Sequence, residues 1–423
     1  MPIIGIDDTD SSREMCTTYL TIEILRQTSL DLIGFPKLVR LNPNIPLKTR
    51  GNAAISMRLG RGYGGKKPIG LVGGNEIYSY DKGEDENLDI DIPSIIEKYS
   101  PKDEKTNPAL IISNENLNEN LYYSAVREFV DYRKVKELIP EKRYWTKNGE
   151  IGLVGASSAI SWPERVTTFE LISYLPREKW GGEHYVDDAS ARYIEENYPT
   201  TFDSYDFINN YNAIRPTTKT PVLFGIRGTN YEHLLKSIKD VKSEKFESFI
   251  IYNTNQGSDD HIVLRKVNEI QLYSSSKIDV IVQENPVNMR GGIVRVKVGD
   301  STGTIDAVAM EPTKNFRNII RQLRIGDHLE IYGGTTKQGI INIEKINIKS
   351  LSKEIILEPP VCENCNVKME SMGRNGYYRC RKCGRKAEPI RREIPRRLKE
   401  GYYEVPVIAR RHLARPLKLG VII

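Results

Sequence analysis

Cysteine is scarce in this chain of 423 residues: there are five, four of them between positions 362 and 383, with Cys16 alone. A disulfide scaffold needs several bridges spread along the chain, so that class is excluded and a reducing, cytoplasmic compartment is expected. No apolar run approaches the roughly 18 residues that a transmembrane helix needs, and no membrane partner is expected. The opening Met1-Pro-Ile-Ile-Gly-Ile-Asp-Asp is acidic where a secretory leader is basic. Histidine is sparse too. The five, at 184, 233, 261, 328 and 412, show no ligand spacing and suggest no Ser-His-Asp arrangement. Long repeats and low-complexity tracts are missing. What is there, 39% hydrophobic and 28% charged residues, is the composition of a folded protein of about three domains.

Charge is distributed unevenly. From position 379 to the end there are 14 Lys/Arg and 4 Asp/Glu, a local balance of +10, whereas the preceding 378 residues sum to −4. A near-neutral body with a basic end is the footprint of a polyanion binder, and the competing reading is a merely solvated tail.

Periodicity predicts a multidomain α+β protein. Residues 1–118 read as an α/β unit. Ile3-Ile-Gly-Ile6 is a strand running into Asp7-Asp8-Thr9-Asp10-Ser11-Ser12, and a helix follows with an apolar face through Tyr19, Leu20, Ile22, Ile24 and Leu25. Ser11 and Ser12 are its candidate N-caps, which would put Thr17 and Thr18 about two turns inside. Residues 60–75 read as a basic loop or hairpin tip. They match GxGxxG, and a P-loop except for Lys67, but no helix follows Pro68, so both nucleotide readings are rejected. Residues 119–265 give a second α/β unit, with a helix at 121–139, strands near 151–154 and 168–174, and a returning strand-helix-strand. Between 275 and 350, Val294, Val296 and Val298 alternate with Arg295 and Lys297, a strand with one basic face. Three strands, a helix and two strands is the order of an OB-fold β-barrel, a nucleic-acid-binding module.

Two clusters carry chemistry. Cys362-Glu-Asn-Cys365 and Cys380-Arg-Lys-Cys383 are CxxC pairs 14 residues apart, suited to a four-sulfur structural Zn²⁺ site in a zinc ribbon at 355–390. Redox dithiols are the bland reading. Arg391, Arg392, Arg396 and Arg397 follow in a basic tail, 391–423, where they are candidate phosphate contacts together with Arg295 and Lys297. At the other end, Asp7, Asp8 and Asp10 close a strand. Clustered carboxylates repel unless a cation bridges them, and Mg²⁺ takes one or two carboxylates plus substrate phosphates. Capping is the alternative.

Several stretches together resemble one family, the archaeal isoleucine-tRNA 2-agmatinylcytidine synthetases. They are Gly5-Ile-Asp-Asp-Thr-Asp-Ser-Ser12, Met15-Cys-Thr-Thr-Tyr19, Arg40-Leu-Asn-Pro43, Lys48-Thr-Arg-Gly-Asn52, residues 103–108, Pro221-Val-Leu-Phe-Gly-Ile-Arg-Gly228 and Thr254-Asn-Gln-Gly257. The likeness spans nearly the whole chain. It implies a kinase-like domain at 1–118, a ferredoxin-like domain at 119–265, an OB domain and a zinc ribbon. It also implies an ATP-dependent ligase that joins agmatine to carbon 2 of the wobble cytidine of an isoleucine tRNA with a CAU anticodon. ATP phosphorylates the carbonyl oxygen on that carbon, the amine of agmatine displaces phosphate, and ATP ends as AMP. A phosphorylated threonine maps to Thr17, with Thr18 as its substitute. On this reading Arg50 and Lys105 neutralise ATP. Glu170, Asp187, Asp203 and Asp206 are candidates for the agmatine pocket. The stretch 60–74 has no counterpart in that pattern, and His184 stands where an arginine is expected. The rival readings are a Mg²⁺-dependent nuclease acting on structured RNA and a non-enzymatic OB/zinc-ribbon binder.

Overall fold

In the computed structural model, all residues are described except 12–13, 47–50, 102, 104, 140–142, 218–219, 374–375 and 422–423. The first 254 residues build one continuous sheet. Its strands are β1 (Ile3–Asp7), β2 (Asp31–Ile33), β3 (Lys37–Arg40), β4 (Ala53–Val72), β5 (Asn75–Glu84), β6 (Ala109–Ser113), β7 (Tyr144–Thr146), β8 (Thr168–Tyr174) and β9 (Thr201–Phe202). A separate hairpin, β10 (Tyr205–Asp206) and β11 (Tyr211–Asn212), precedes β12 (Val222–Gly228) and β13 (Ser248–Thr254). The order is β7-β6-β1-β4-β3-β13-β8-β12-β9, with β2 and β5 alongside β4.

Among the described residues seven α-helices accompany the sheet: α1 (Tyr19–Gln27), α2 (Ile92–Tyr99), α3 (Glu119–Arg127), α4 (Tyr132–Lys136), α5 (Gly152–Ser161), α6 (Asp188–Asn197) and α7 (Tyr231–Ser237). The expected break at 118 is no boundary in this sheet. β7 pairs with β6, and α5 lies on β1. One core runs through both halves, from Ile4, Ile6 and Leu20 to Leu171, Phe224 and Ile250, all fully buried. Each such side chain contributes about 2–3 kcal/mol of burial energy.

Four local expectations change. Residues 151–154 begin helix α5 and are not a strand. Nine of the ten helix residues are buried, so the helix carries no amphipathic period to read. The helix expected over 121–139 is two, α3 and α4. Residues 60–72 continue strand β4, and the turn falls at Gly73 and Gly74, both at positive φ. Bulges between Tyr63 and Lys66 and between Pro68 and Gly70 absorb the irregular residues. Finally, α1 starts at Tyr19, so Thr17 and Thr18 stand at its threshold. Ser11 caps only a local turn, accepting from the Glu14 N–H at 3.1 Å, and Ser12 lies outside the described residues.

Downstream, β14 (Ile262–Leu264), β15 (Ser275–Val282), β16 (Val287–Asn288), β17 (Val294–Asp300), β18 (Gly303–Ala309), β19 (His328–Lys337) and β20 (Ile340–Ser350) form a second sheet, with α8 (Phe316–Arg321) between β18 and β19. Five of these strands close a barrel, β15-β17-β18-β20-β19 and back to β15. Val294, Val296 and Val298 fill it as their alternation predicts. The face opposite is not net basic: Arg295 meets Asp306 at 3.4 Å and Lys297 meets Glu284 at 2.5 Å.

β21 (Glu354–Glu358) leaves the barrel toward a small sheet of β22 (Glu370–Ser371), β23 (Tyr378–Arg379) and β24 (Lys386–Ala387). β25 (Ile390–Ile394) returns along β21, and β26 (Gly401–Glu404) adds to β20. Among the described residues no helix is long and apolar enough to cross a membrane.

Candidate catalytic cavity and zinc site

Strand direction assembles the cavity. β1 and β3 are both antiparallel to β4, β13 is parallel to β3, and β12 and β13 are both antiparallel to β8. The C-terminal ends of β1, β3, β12 and β13 and the start of β8 therefore meet at one edge of the sheet. That edge carries Asp7, Arg40, Arg227 and Glu170, and all four line a cavity of about 650 Å³. Asp8, Asp10, Thr17 and Thr18 line it as well.

Asp7 is pressed against α5. A Cβ on Gly155 would collide with the Asp7 carboxylate, and one on Gly5 with the Ala156 carbonyl, so glycines let the helix settle on β1. Burial pushes the Asp7 carboxyl well above its ordinary pKa, and the neighbouring Asp8 charge adds to that. Asp8 is also raised by burial, although its Oδ2 accepts from the Asn107 N–H at 3.1 Å. Asp8 adopts a positive φ of 53°, which turns the chain sharply off the strand. Thr106 donates to the Asp10 carbonyl at 3.2 Å and ties the loop down from the far side. Buried Thr9 donates to Thr17 Oγ1 at 3.2 Å, Thr18 Oγ1 lies 3.1 Å from the Cys16 sulfur, and the Tyr252 phenol donates to the Thr18 carbonyl at 2.8 Å. The three aspartates do not converge on a single point. Among the described residues only the four C-terminal cysteines do so.

Across the cavity, Glu170 is 3% exposed and held between Arg40 at 3.0 Å and Arg227 at 3.3 Å. Of the four carboxylates expected for agmatine it alone reaches the cavity. Asp187 caps α6 through the Ser190 N–H. Asp203 pairs with Arg410, and Asp206 accepts from Asn209 and the Ile408 N–H. Local burial and caps satisfy these three, something no spacing rule reveals. Lys105 is exposed in its loop and does not line the cavity, and Arg50 lies outside the described residues.

The C-terminal region also departs from expectation. Arg396 is no surface cation. It forms a bidentate pair with Asp327, which is fully buried, and donates to the carbonyls of Gln322 and Ser352. Arg392 pairs with Glu358 at 3.1 Å, while Arg391 and Arg397 are exposed. After β26 the chain folds back onto the sheet. Arg410 is held by Asp203 and Glu404, Arg411 by Glu344, and Lys418 by Glu195, so this part of the basic tail is neutralised internally. The charge sum overstated its reach.

The sulfurs of Cys362, Cys365, Cys380 and Cys383 lie within 4.8 Å of one another, and the donor set and spacing fit tetrahedral Zn²⁺. The two knuckles are alike. Asn366 and Gly384, each one residue past its CxxC, sit at φ 49° and 75°. Each donates its N–H to the first cysteine's carbonyl, at 2.8 and 2.9 Å. Without a metal the four thiols share protons: N–H groups of Cys383 and Lys382 pull the Cys380 thiol below its ordinary pKa, while the Cys383 side chain and burial push the Cys365 thiol above its own.

Comparison with known proteins points to one family. Family models described as the TiaS TCKD domain, the TiaS FLD domain and the TiaS C-terminal zinc ribbon domain match residues 3–148, 150–261 and 359–398. The isoleucine-tRNA 2-agmatinylcytidine synthetase TiaS of Archaeoglobus fulgidus is 39% identical, the alignment covering 98% of this chain and 96% of that protein. The chain belongs to the TiaS family. The TiaS of Methanocaldococcus jannaschii is 38% identical, with 99% of each chain covered. A crystal structure of a TiaS complex with its isoleucine tRNA and ATP superposes with a TM-score of 0.84 at 35% identity. One of a TiaS complex with the same tRNA, AMPCPP and agmatine superposes with 0.81 at 33%. Both cover 100% of this chain and 98% of the other.

Within this TiaS-family cavity, sequence reasoning missed Arg40, Arg227 and Gly155. Two of them lie in stretches that resemble the family, which was the available signal. Gly155 lies just past the segment expected to be a strand, 151–154, and gave none.

Proposed function

We propose that this chain joins agmatine to carbon 2 of the wobble cytidine of an isoleucine tRNA with a CAU anticodon, using ATP; its relatives are named 2-agmatinylcytidine synthetases of an isoleucine tRNA. One observation carries the proposal: in a chain of this family, the carboxylates of β1, the threonines at the start of α1 and the Arg40–Glu170–Arg227 wall all face one cavity.

Phosphoryl transfer needs alignment and charge neutralisation more than covalent chemistry. Asp7 and Asp8 suit a divalent cation. Each carboxyl is raised by burial and by a neighbouring negative charge, and a bound cation relieves both effects. Mg²⁺ held there would neutralise the phosphates of ATP. Arg40 and Arg227 flank the opposite wall, where guanidinium groups offset charge on the phosphoryl group in transit. Glu170 spaces these two cations and is itself matched, so it is not the guanidinium acceptor for agmatine.

Of the two threonines, Thr18 is the better phosphate acceptor. Both hydroxyls have neighbours, Thr17 accepting from Thr9 and Thr18 meeting the Cys16 sulfur and Tyr174, but Thr18 is the N-cap of α1, where added negative charge is favoured. The wobble base reaches such a cavity because an anticodon loop lets its bases splay out.

The domain readings belong to the same proposal. The order β13-β8-β12-β9, with α6 and α7 as crossovers, supports a ferredoxin-like unit, and the barrel order with α8 between its third and fourth strands supports an OB fold. The kinase-like reading of the first unit rests on the aspartates that close β1. Of the six cations expected to meet RNA phosphates, exposed Arg391 and Arg397 near the zinc ribbon are the two with no ion pair among the described residues.

The test combines protein, Mg²⁺, labelled ATP, CAU-anticodon tRNA transcript and agmatine. The proposal requires tRNA-dependent AMP and a modified cytidine. ATP-independent shortening of the tRNA, or no change in any reactant, refutes it. Asp8→Asn should abolish ATP turnover and leave tRNA affinity close to normal. An equal fall in affinity would show that Asp8 serves binding instead.

A further inference from the structure

Where the chain folds back after the barrel, it delivers a side chain to the cavity. Residues 410–415 cross between the barrel and the main sheet. Gly257 donates its N–H to the His412 carbonyl and Asp259 to the Leu413 carbonyl, both at 2.9 Å. Leu413, 1% exposed, is buried with Val39, Tyr122 and Trp162. His412 itself lines the cavity.

Its imidazole meets Gln256, with His412 Nδ1 2.8 Å from Gln256 Oε1. The other end of that amide, Nε2, donates to Glu170 Oε2. A carboxylate in an ion pair with two arginines can only accept, so the amide has one allowed orientation. Its oxygen faces the ring, and Nδ1 must carry the proton. The chain of donors therefore runs His412 to Gln256 to Glu170, and Glu170 in turn spaces Arg40 and Arg227.

We propose that His412 is a positioning residue: through Gln256 it fixes Glu170, and so holds Arg40 and Arg227 where they meet the transferred phosphoryl group. This rests on the proposed function for its chemistry, but the relay is a property of the protein alone. It also gives the folded-back segment a purpose other than gripping RNA, since seating the C-terminus completes the cavity wall. The family models matched end at residue 261 and resume over 359–398, so His412 falls outside them.

The test has two arms on the full-length protein. In the first, ¹⁵N-histidine NMR of the ligand-free protein should show His412 protonated at Nδ1, a state lost in Gln256→Ala. An Nε2-protonated ring in the wild type overturns the relay. In the second, His412→Ala should lower kcat for tRNA-dependent AMP formation about 10–100-fold, the scale of a displaced reacting group. KM for tRNA, zinc content and melting temperature should stay near the wild-type values. His412→Asn, whose amide nitrogen falls where Nδ1 was, should restore most of the rate, whereas His412→Gln, with its nitrogen one bond further out, should not. Equal rescue by both, or wild-type kcat in His412→Ala, refutes the positioning role. If the wild type itself forms no modified cytidine, the proposed function fails, and the NMR arm still decides the relay.

Discussion

The sharpest consequence of the cavity geometry concerns Gly155 rather than an aspartate. In an exposed helix interior, Gly→Ala stabilises by about 1 kcal/mol through helix propensity. At Gly155 the added methyl would overlap the Asp7 carboxylate, and an ordinary contact of about 3.5 Å is restored only if that group moves by more than about 1 Å. The helix cannot back away, because Gly5 brings the Ala156 carbonyl close to β1 and α5 is buried on nearly all sides. Overpacking of this kind costs about 1–3 kcal/mol, so the net change in stability is small, between roughly zero and a loss of 2 kcal/mol. Activity should fall far more. A misplacement of about 1 Å at a reacting centre is worth about a hundredfold in rate. The assay is single-turnover AMP formation with saturating tRNA and ATP, alongside urea unfolding and circular dichroism. A Gly155→Ala enzyme that is folded and within threefold of wild-type rate would show that the Asp7 carboxylate has no part in the chemistry.

Asp7→Asn should raise the melting temperature of the ligand-free protein at pH 7. The folded-state pKa lies above the unfolded value, so this carboxyl favours folding below pH ~4. That contribution is lost as pH rises through the folded value, and the advantage of Asn over Asp should shrink toward acid. A variant equally less stable at every pH would contradict this sign. Arg396→Ala removes one half of a buried pair with Asp327, which should cost about 3–5 kcal/mol in urea unfolding. Unchanged stability with weaker tRNA binding would restore Arg396 to the surface role its sequence suggested. Cys380→Ser should release zinc, measured by elemental analysis, and weaken tRNA binding while the barrel stays folded. Unchanged affinity would make the ribbon a structural appendage.

The features legible in the sequence are those set by neighbours along the chain. Two CxxC pairs with a short spacer specify a four-sulfur site because the ligands of each pair are local. Val294, Val296 and Val298 announce a half-buried strand because its period is two, and Asp7-Asp8-Thr9-Asp10 marks a strand end because carboxylates gather there for a reason. The resemblance added the order of the parts and the reaction.

Tertiary structure alone decided which charges are available. Asp187, Asp203 and Asp206 are indistinguishable from ligand carboxylates until the Ser190 N–H, Arg410 and Asn209 are seen to satisfy them. The basic tail counts as +10 on paper, yet Arg410, Arg411 and Lys418 meet Asp203, Glu344 and Glu195, acids that lie 67 to 223 residues away. Helix α5 could not be told from a strand because burial on every side erases the amphipathic period. Coulomb pairing and all-round burial depend on distance in space, and a linear sequence records only distance along the chain.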